Sequence, residues 1–260
     1  MSAPLLVVHH DRVELAAAAA GRLVTRVADA QAARGAASIV LTGGGIGIAT
    51  LAAVARSPAR FAVDWAHLDV WWGDERYLPT GHPDRNETQA RQALLGAVPV
   101  DPARIHPIPA TDGRGGGDPD VAAGDYATEL AAATRPENHA DVPTFDVLML
   151  GVGPDGHVAS LFPDQPALYE RERTVVAVRG APKPPPTRIT LTFPAIRAAA
   201  EVWLVVAGED KAAAVRMALS GAGELQVPAS GARGRQRTLW LLDRAAAAQL
   251  PRGLERIASP

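Results

Sequence analysis

Residues 145–163 read FDVLMLGVGPDGHVASLFP, and the parsing of this stretch decides the fold. Phe145–Leu150 is an apolar run of strand length. It breaks at a turn in which Gly151, Gly153 and Gly156 spell G-x-G-x-x-G. One parsing makes this the pyrophosphate turn of a dinucleotide fold. The other makes the glycines a scaffold that delivers His157 to the end of a strand.

Four features argue against the nucleotide. A pyrophosphate turn opens a helix whose N-terminus holds the anion. Here Pro163 comes six residues after His157 and limits any helix to about two turns. Asp155 puts a negative charge inside the turn, and the motif follows several α/β units rather than lying in the first. Glu170 and Glu172 stand near the distance expected of a ribose-binding acid, but the intervening helix and strand are missing. The stretch therefore predicts a strand, a tight turn, and a short helix starting at His157. A helix N-terminus disfavours imidazolium, which suits a general base. His9 and His10 end the first strand, His82 and His106 adjoin prolines, and His139 sits in a polar loop. No pair has zinc-like spacing, so a metal site is not indicated.

Outward from this stretch, strands are expected at Leu5–His9, Ser38–Thr42, His67–Trp72, Thr174–Val178, Arg188–Thr192, Val202–Val206 and Thr238–Leu242. Helices are expected at Arg12–Arg34, Ile48–Arg56, Arg85–Leu95 with Asp84 as N-cap, Asp118–Ala133 and Lys211–Leu219, with a last alanine-rich one capped by Asp243. The alternation predicts a three-layer α/β fold: a mostly parallel central sheet, Rossmann-like, with helices on both faces. No repeat or change of composition divides the chain, so one domain is expected over 1–260.

With 47% hydrophobic residues the chain can bury a large core, and a net charge of −2 leaves no strongly basic face for nucleic acid. The lack of cysteine excludes disulfides, thiolate catalysis and cysteine-ligated metals. The apolar run Leu5–Val8 is too short for a leader, and nothing approaches the ~20 residues of a membrane span. A cytoplasmic protein, a monomer or weak homo-oligomer, is expected.

Ligands of such sheets bind beyond the carboxyl ends of strands. That filter selects four groups. The turn Thr42-Gly-Gly-Gly-Ile-Gly47 can point the amides of Gly43, Gly44 and Gly45 at one phosphate. Asp74 and Arg76 follow HLDVWW, where the arginine can fork onto a phosphate and the carboxylate can act as acid, base or orienter. Lys183 and Arg188 flank a proline run expected to be extended and stiff, with Arg179 nearby. Lys211 follows VWLVV at a helix start, against the dipole preference unless an anion is present.

In order along the chain, LTGGGIG, WWGDERYLPTGHPDRNETQAR, FDVLMLGVGPDGHVASLFP, KPPPTRITLTFPAI, VVAGEDKAAAV and VPAS with TLWLLDRAAA resemble the 6-phosphogluconolactonase family, relatives of glucosamine-6-phosphate deaminase. The resemblance implies a sugar-phosphate isomerase type of α/β fold. It also implies hydrolysis of 6-phosphogluconolactone in the oxidative pentose phosphate pathway, without a cofactor. Mapped onto this chain, it implies His157 as general base, oriented by Asp155 or Asp74. Gly43, Gly44, Gly45, Arg76, Lys211 and Arg188 or Arg179 would hold the phosphate, with Lys183 nearby. The family's first turn often reads Ser-Gly-Gly-Ser-Thr-Pro, so the hydroxyl after the glycine pair is lost at Gly45. The deaminases typically carry Ala-Phe-Asn-Glu-Pro after the histidine. Ala159-Ser-Leu-Phe-Pro163 has no glutamate there, which favours a lactonase over a deaminase or a non-catalytic sugar-phosphate binder.

Overall fold

The structure, a computed structural model, describes residues 3–135 and 141–251, so His139 lies outside the described residues. Strand β1 (Leu5–His9) leads into helix α1 (Arg12–Arg34). The side chain of Asp11 caps α1 by accepting from the amides of Val13 and Glu14, and Gly35, at φ 78°, ends it. Leu15, Ala19, Leu23, Val27 and Ala30 recur every three or four residues and form its buried stripe. Strand β2 (Ala37–Leu41), helix α2 (Gly44–Arg56) and strand β3 (Leu68–Trp72) complete the first α/β units.

The central sheet has six strands in the order β1-β9-β8-β5-β2-β3, where β5 is Val147–Leu150, β8 is Glu201–Val206 and β9 is Arg237–Asp243. Every neighbouring pair is parallel. All residues of β5 and β8 are buried, as strands sandwiched on both faces must be, and apart from Glu201 at the start of β8 they read as apolar runs. The chain leaves β2 towards β3 on one side, whereas β5 is followed in this sheet by β8 on the other. That divergence opens a crevice at the carboxyl ends of β2 and β5. Across it the Gly151 amide donates to Thr42 Oγ1 at 3.2 Å.

A second sheet, antiparallel, is formed by β4 (Asp74–Arg76), β7 (Arg188–Leu191) and β6 (Val175–Val178) in that order. The sequence reading placed Asp74–Arg76 in a loop, because three charged residues carry no strand signal. They are a strand because Gly73 links the sheets: its amide donates to Leu41 O, and its carbonyl accepts from Leu191 N at 2.8 Å. Helix α4 (Pro119–Ala132) packs on β6 and β7, and its Tyr126 hydroxyl both donates to Trp72 O and accepts from Trp72 N.

Other boundaries moved for physical reasons. Helix α2 starts at Gly44 rather than Ile48, so the glycines belong to its first turn; a Cβ on Gly47 would meet Thr42 O at 2.7 Å. Helix α3 (Asn86–Ala93) is not capped by Asp84. The buried Glu75 carboxylate does it from another element, accepting from the amides of Asn86 (2.7 Å) and Glu87 (2.9 Å). No helix follows His157; Leu161 N bonds back to Val158 O, and the loop closes on itself. The proline run is a series of bends, not an extended path. Its carbonyls face inward onto Arg188. After β7 comes α5 (Phe193–Ala198), and Lys211 ends a single 3-10 turn ahead of α6 (Ala212–Leu219). The described residues after Asp243 are turns rather than a helix, although Asp243 Oδ1 does accept from Ala246 N at 2.7 Å.

Candidate active site

A cavity of about 420 Å³ lies over the crevice between β2 and β5. Three chain segments that follow central strands wall it: Thr42–Ile46 after β2, Gly151–Pro154 with His157 after β5, and Ala207 with Lys211 after β8. The second sheet contributes Asp74, Arg76 and Arg188.

The turn after β5 is built around one pair. Gly156 takes φ +79°, where a side chain would be strained and would also strike Val227. A Cβ on Gly153 would fall 2.1 Å from His157 Nδ1, so this position must be glycine for the imidazole to lie where it does. Asp155 Oδ1 is 2.5 Å from Nδ1, and the ring also packs at 4.4 Å on Phe162. Burial works against charge on Asp155, but the hydrogen bond with His157, the charge of that imidazole and Lys183 Nζ at 3.6 Å outweigh it and hold the carboxyl down at about 2. At neutral pH Asp155 is thus ionised and can only accept. Nδ1 then carries the proton, and a neutral ring presents the lone pair of Nε2.

Asp74 lines the same cavity but does not bond the imidazole. It is buried, with Oδ2 accepting from Ser160 Oγ at 2.7 Å and Oδ1 from Asn86 Nδ2 at 3.3 Å. Of the two carboxylates offered as partner to His157, the geometry selects Asp155.

Five cations face the cavity, Arg12, Arg76, Lys183, Arg188 and Lys211, against one lining carboxylate, Asp74. In a chain of net charge −2 this is a local concentration of positive charge. Arg76 is anchored through Nη1 to Asp84 O at 2.6 Å, and Lys211 pairs with Asp210. Arg188 is buried, which lowers its pKa, and its guanidinium donates to the carbonyls of Lys183, Pro184 and Pro185. Arg179 is not brought to the cavity. It sits on the surface, 2.8 Å from Asp120 and 3.6 Å from Asp118 at the start of α4.

The family model described as glucosamine-6-phosphate isomerases/6-phosphogluconolactonase matches residues 10–240. The chain belongs to that family. It is 66% identical over 256 residues to a 6-phosphogluconolactonase of Streptomyces coelicolor, covering 98% of each chain. It is 53% identical to a 6-phosphogluconolactonase of Mycobacterium tuberculosis, covering 91% of this chain and 94% of the other. Among solved structures, the 6-phosphogluconolactonase of Trypanosoma brucei superposes with a TM-score of 0.83 at 27% identity, over 96% of this chain and all of that one.

Within this member of the lactonase and isomerase family, two lining residues with polar side chains escaped the sequence reading. Arg12 follows β1, so the strand-end filter applied to it, but the sequence reading took it only as the first residue of a long helix. Asn86 stands at the start of α3, far from any strand end in sequence. It reaches the cavity because Glu75 pins its amide and its side-chain Nδ2 donates to Asp74 O at 2.8 Å.

Proposed function

We propose that this chain hydrolyses 6-phosphoglucono-1,5-lactone to 6-phosphogluconate, with His157 as general base. The observation that carries this reading is His157, paired through Nδ1 with Asp155, on the wall of a cavity faced by five cations. Arg76, Lys211, Arg188 and the amides of Gly43–Gly45 hold the phosphate, with Lys183 close by. Binding that remote group places the lactone carbonyl against His157, and positioning of this kind lowers the barrier.

Nε2 takes a proton from water as the water oxygen attacks the carbonyl. Asp155 stabilises the imidazolium that forms, as an ionised partner on Nδ1 does. Cavity-lining backbone amides or cations balance the charge of the tetrahedral oxyanion. The imidazolium then returns its proton to the ring oxygen as the carbon–oxygen bond opens. Water adds across the ester bond, and no group remains on the protein. The reading includes a single domain over 1–260, a monomer or weak homo-oligomer, and a cytoplasmic setting, with which the lack of cysteine is compatible.

The test is hydrolysis of freshly generated lactone, with the spontaneous rate subtracted. The phosphorylated lactone should be preferred over the phosphate-free one by at least roughly tenfold in kcat/KM. Absence of protein-dependent hydrolysis of the phosphorylated lactone overturns the proposal.

A further inference from the structure

Gly45 offers no side-chain hydroxyl to a ligand of the turn, yet the space beside it is filled. A Cβ built on Gly45 would lie 2.5 Å from Nη2 of Arg12 and 3.4 Å from its Cζ. Two elements thus converge: the first residue of α1 lays its guanidinium over the first turn of α2. Arg76 and Lys211 are each held by a protein oxygen, whereas the Arg12 guanidinium has no hydrogen bond or ion pair among the described residues. It lines the cavity all the same.

The electrostatics of this meeting are unfavourable unless something is added. The first turn of α2 has no acidic residue, and Gly43, its N-cap, offers no side chain to the free amides. A cation placed there adds to the positive end of the helix. An anion between guanidinium and amides converts that repulsion into two sets of charge-assisted hydrogen bonds. On the same rim the buried oxygen Oδ1 of Asn86 faces Gly43 with no partner, an acceptor suited to a hydroxyl of the same ligand.

We propose that Arg12 is a ligand of the substrate phosphate and that Gly45 is the specificity-determining position that makes room for it. The proposal rests on the reading of the cavity as a sugar-phosphate site. It explains how the turn grips a phosphate without a hydroxyl at position 45: an arginine from another element takes that space.

Titration calorimetry with 6-phosphogluconate, and with gluconate as phosphate-free control, tests this on the full chain. Arg12→Ala should weaken 6-phosphogluconate binding by roughly tenfold or more and leave gluconate unchanged. In steady state it should lower kcat/KM for the phosphorylated lactone by a similar factor and leave that for the phosphate-free lactone unchanged. Gly45 is not among the left-handed glycines, so Gly45→Ala adds no backbone strain and acts through its Cβ. It should weaken 6-phosphogluconate binding by a similar factor, and the double variant should lose no more than Arg12→Ala alone. Unchanged affinity in Arg12→Ala overturns the proposal, and so does a Gly45→Ala loss that persists in full without Arg12. A wild type that binds 6-phosphogluconate through Arg12 but hydrolyses no lactone would support this inference and overturn the enzymatic reading.

Discussion

An ionised carboxylate cannot donate a hydrogen bond, so the contact between Asp155 and His157 Nδ1 decides which imidazole nitrogen is free. Asp155→Asn keeps the shape and reverses the logic. Its amide can donate to Nδ1, which moves the ring proton to Nε2 and removes the base. The expected result is a fall in kcat of roughly 10²–10⁴-fold with KM little changed. Steady-state kinetics on the phosphorylated lactone reads it directly, and a kcat within twofold of wild type would remove Asp155 from the mechanism. Arg188 shows why single residues resist a one-word role. Three of its hydrogen bonds organise the proline loop, so it shapes the cavity wall as well as carrying the charge proposed to bind phosphate.

At the scale of elements, Glu75 joins the second sheet to α3. Besides capping α3, its carboxylate accepts from Arg76 N and lies 3.8 Å from the buried Arg85. Burial pushes its pKa up to about 7, against the Arg85 charge and three backbone N–H groups. Between about 4.5 and 7 the folded chain therefore holds a proton that the unfolded chain has lost, so stability falls as pH rises through that window. Glu75→Gln, which cannot ionise, should flatten this part of the profile. Urea midpoints of the two proteins across that window check it; a wild-type midpoint that rises relative to the variant would refute the assignment. None of this was legible in the sequence, where DER looked like a charged loop and Asp84 looked like the cap. Local signals found α1 to the residue, because its cap, its stripe and its terminal glycine all lie within it. They found α3 but missed its cap, which comes from eleven residues away. They failed again after His157, where a glycine-rich turn before a proline has the outline of a helix start without its hydrogen bonds.

At the scale of the molecule, the α/β alternation exposed the fold class, and the strand-end filter gathered most of the charged residues that line the cavity. The strand order was hidden, since β2 pairs with β5 more than 100 residues away and only tertiary packing records it. Asn86 was hidden for the same reason, Arg12 was passed over as a helix start, and Arg179 looked nearer than it is because proximity in sequence to Arg188 is not proximity in space. The assembled molecule collects charge: an overall acidic chain presents five cations to one crevice, with one imidazole, the proposed base, on its wall. The account stands or falls on that imidazole. Lactone hydrolysis by His157→Ala, with the spontaneous rate subtracted and folding verified by circular dichroism, measures its part most directly. A loss of roughly 10²–10⁴-fold in kcat with binding of 6-phosphogluconate retained is the predicted result. A folded variant that turns over at the wild-type rate would contradict it.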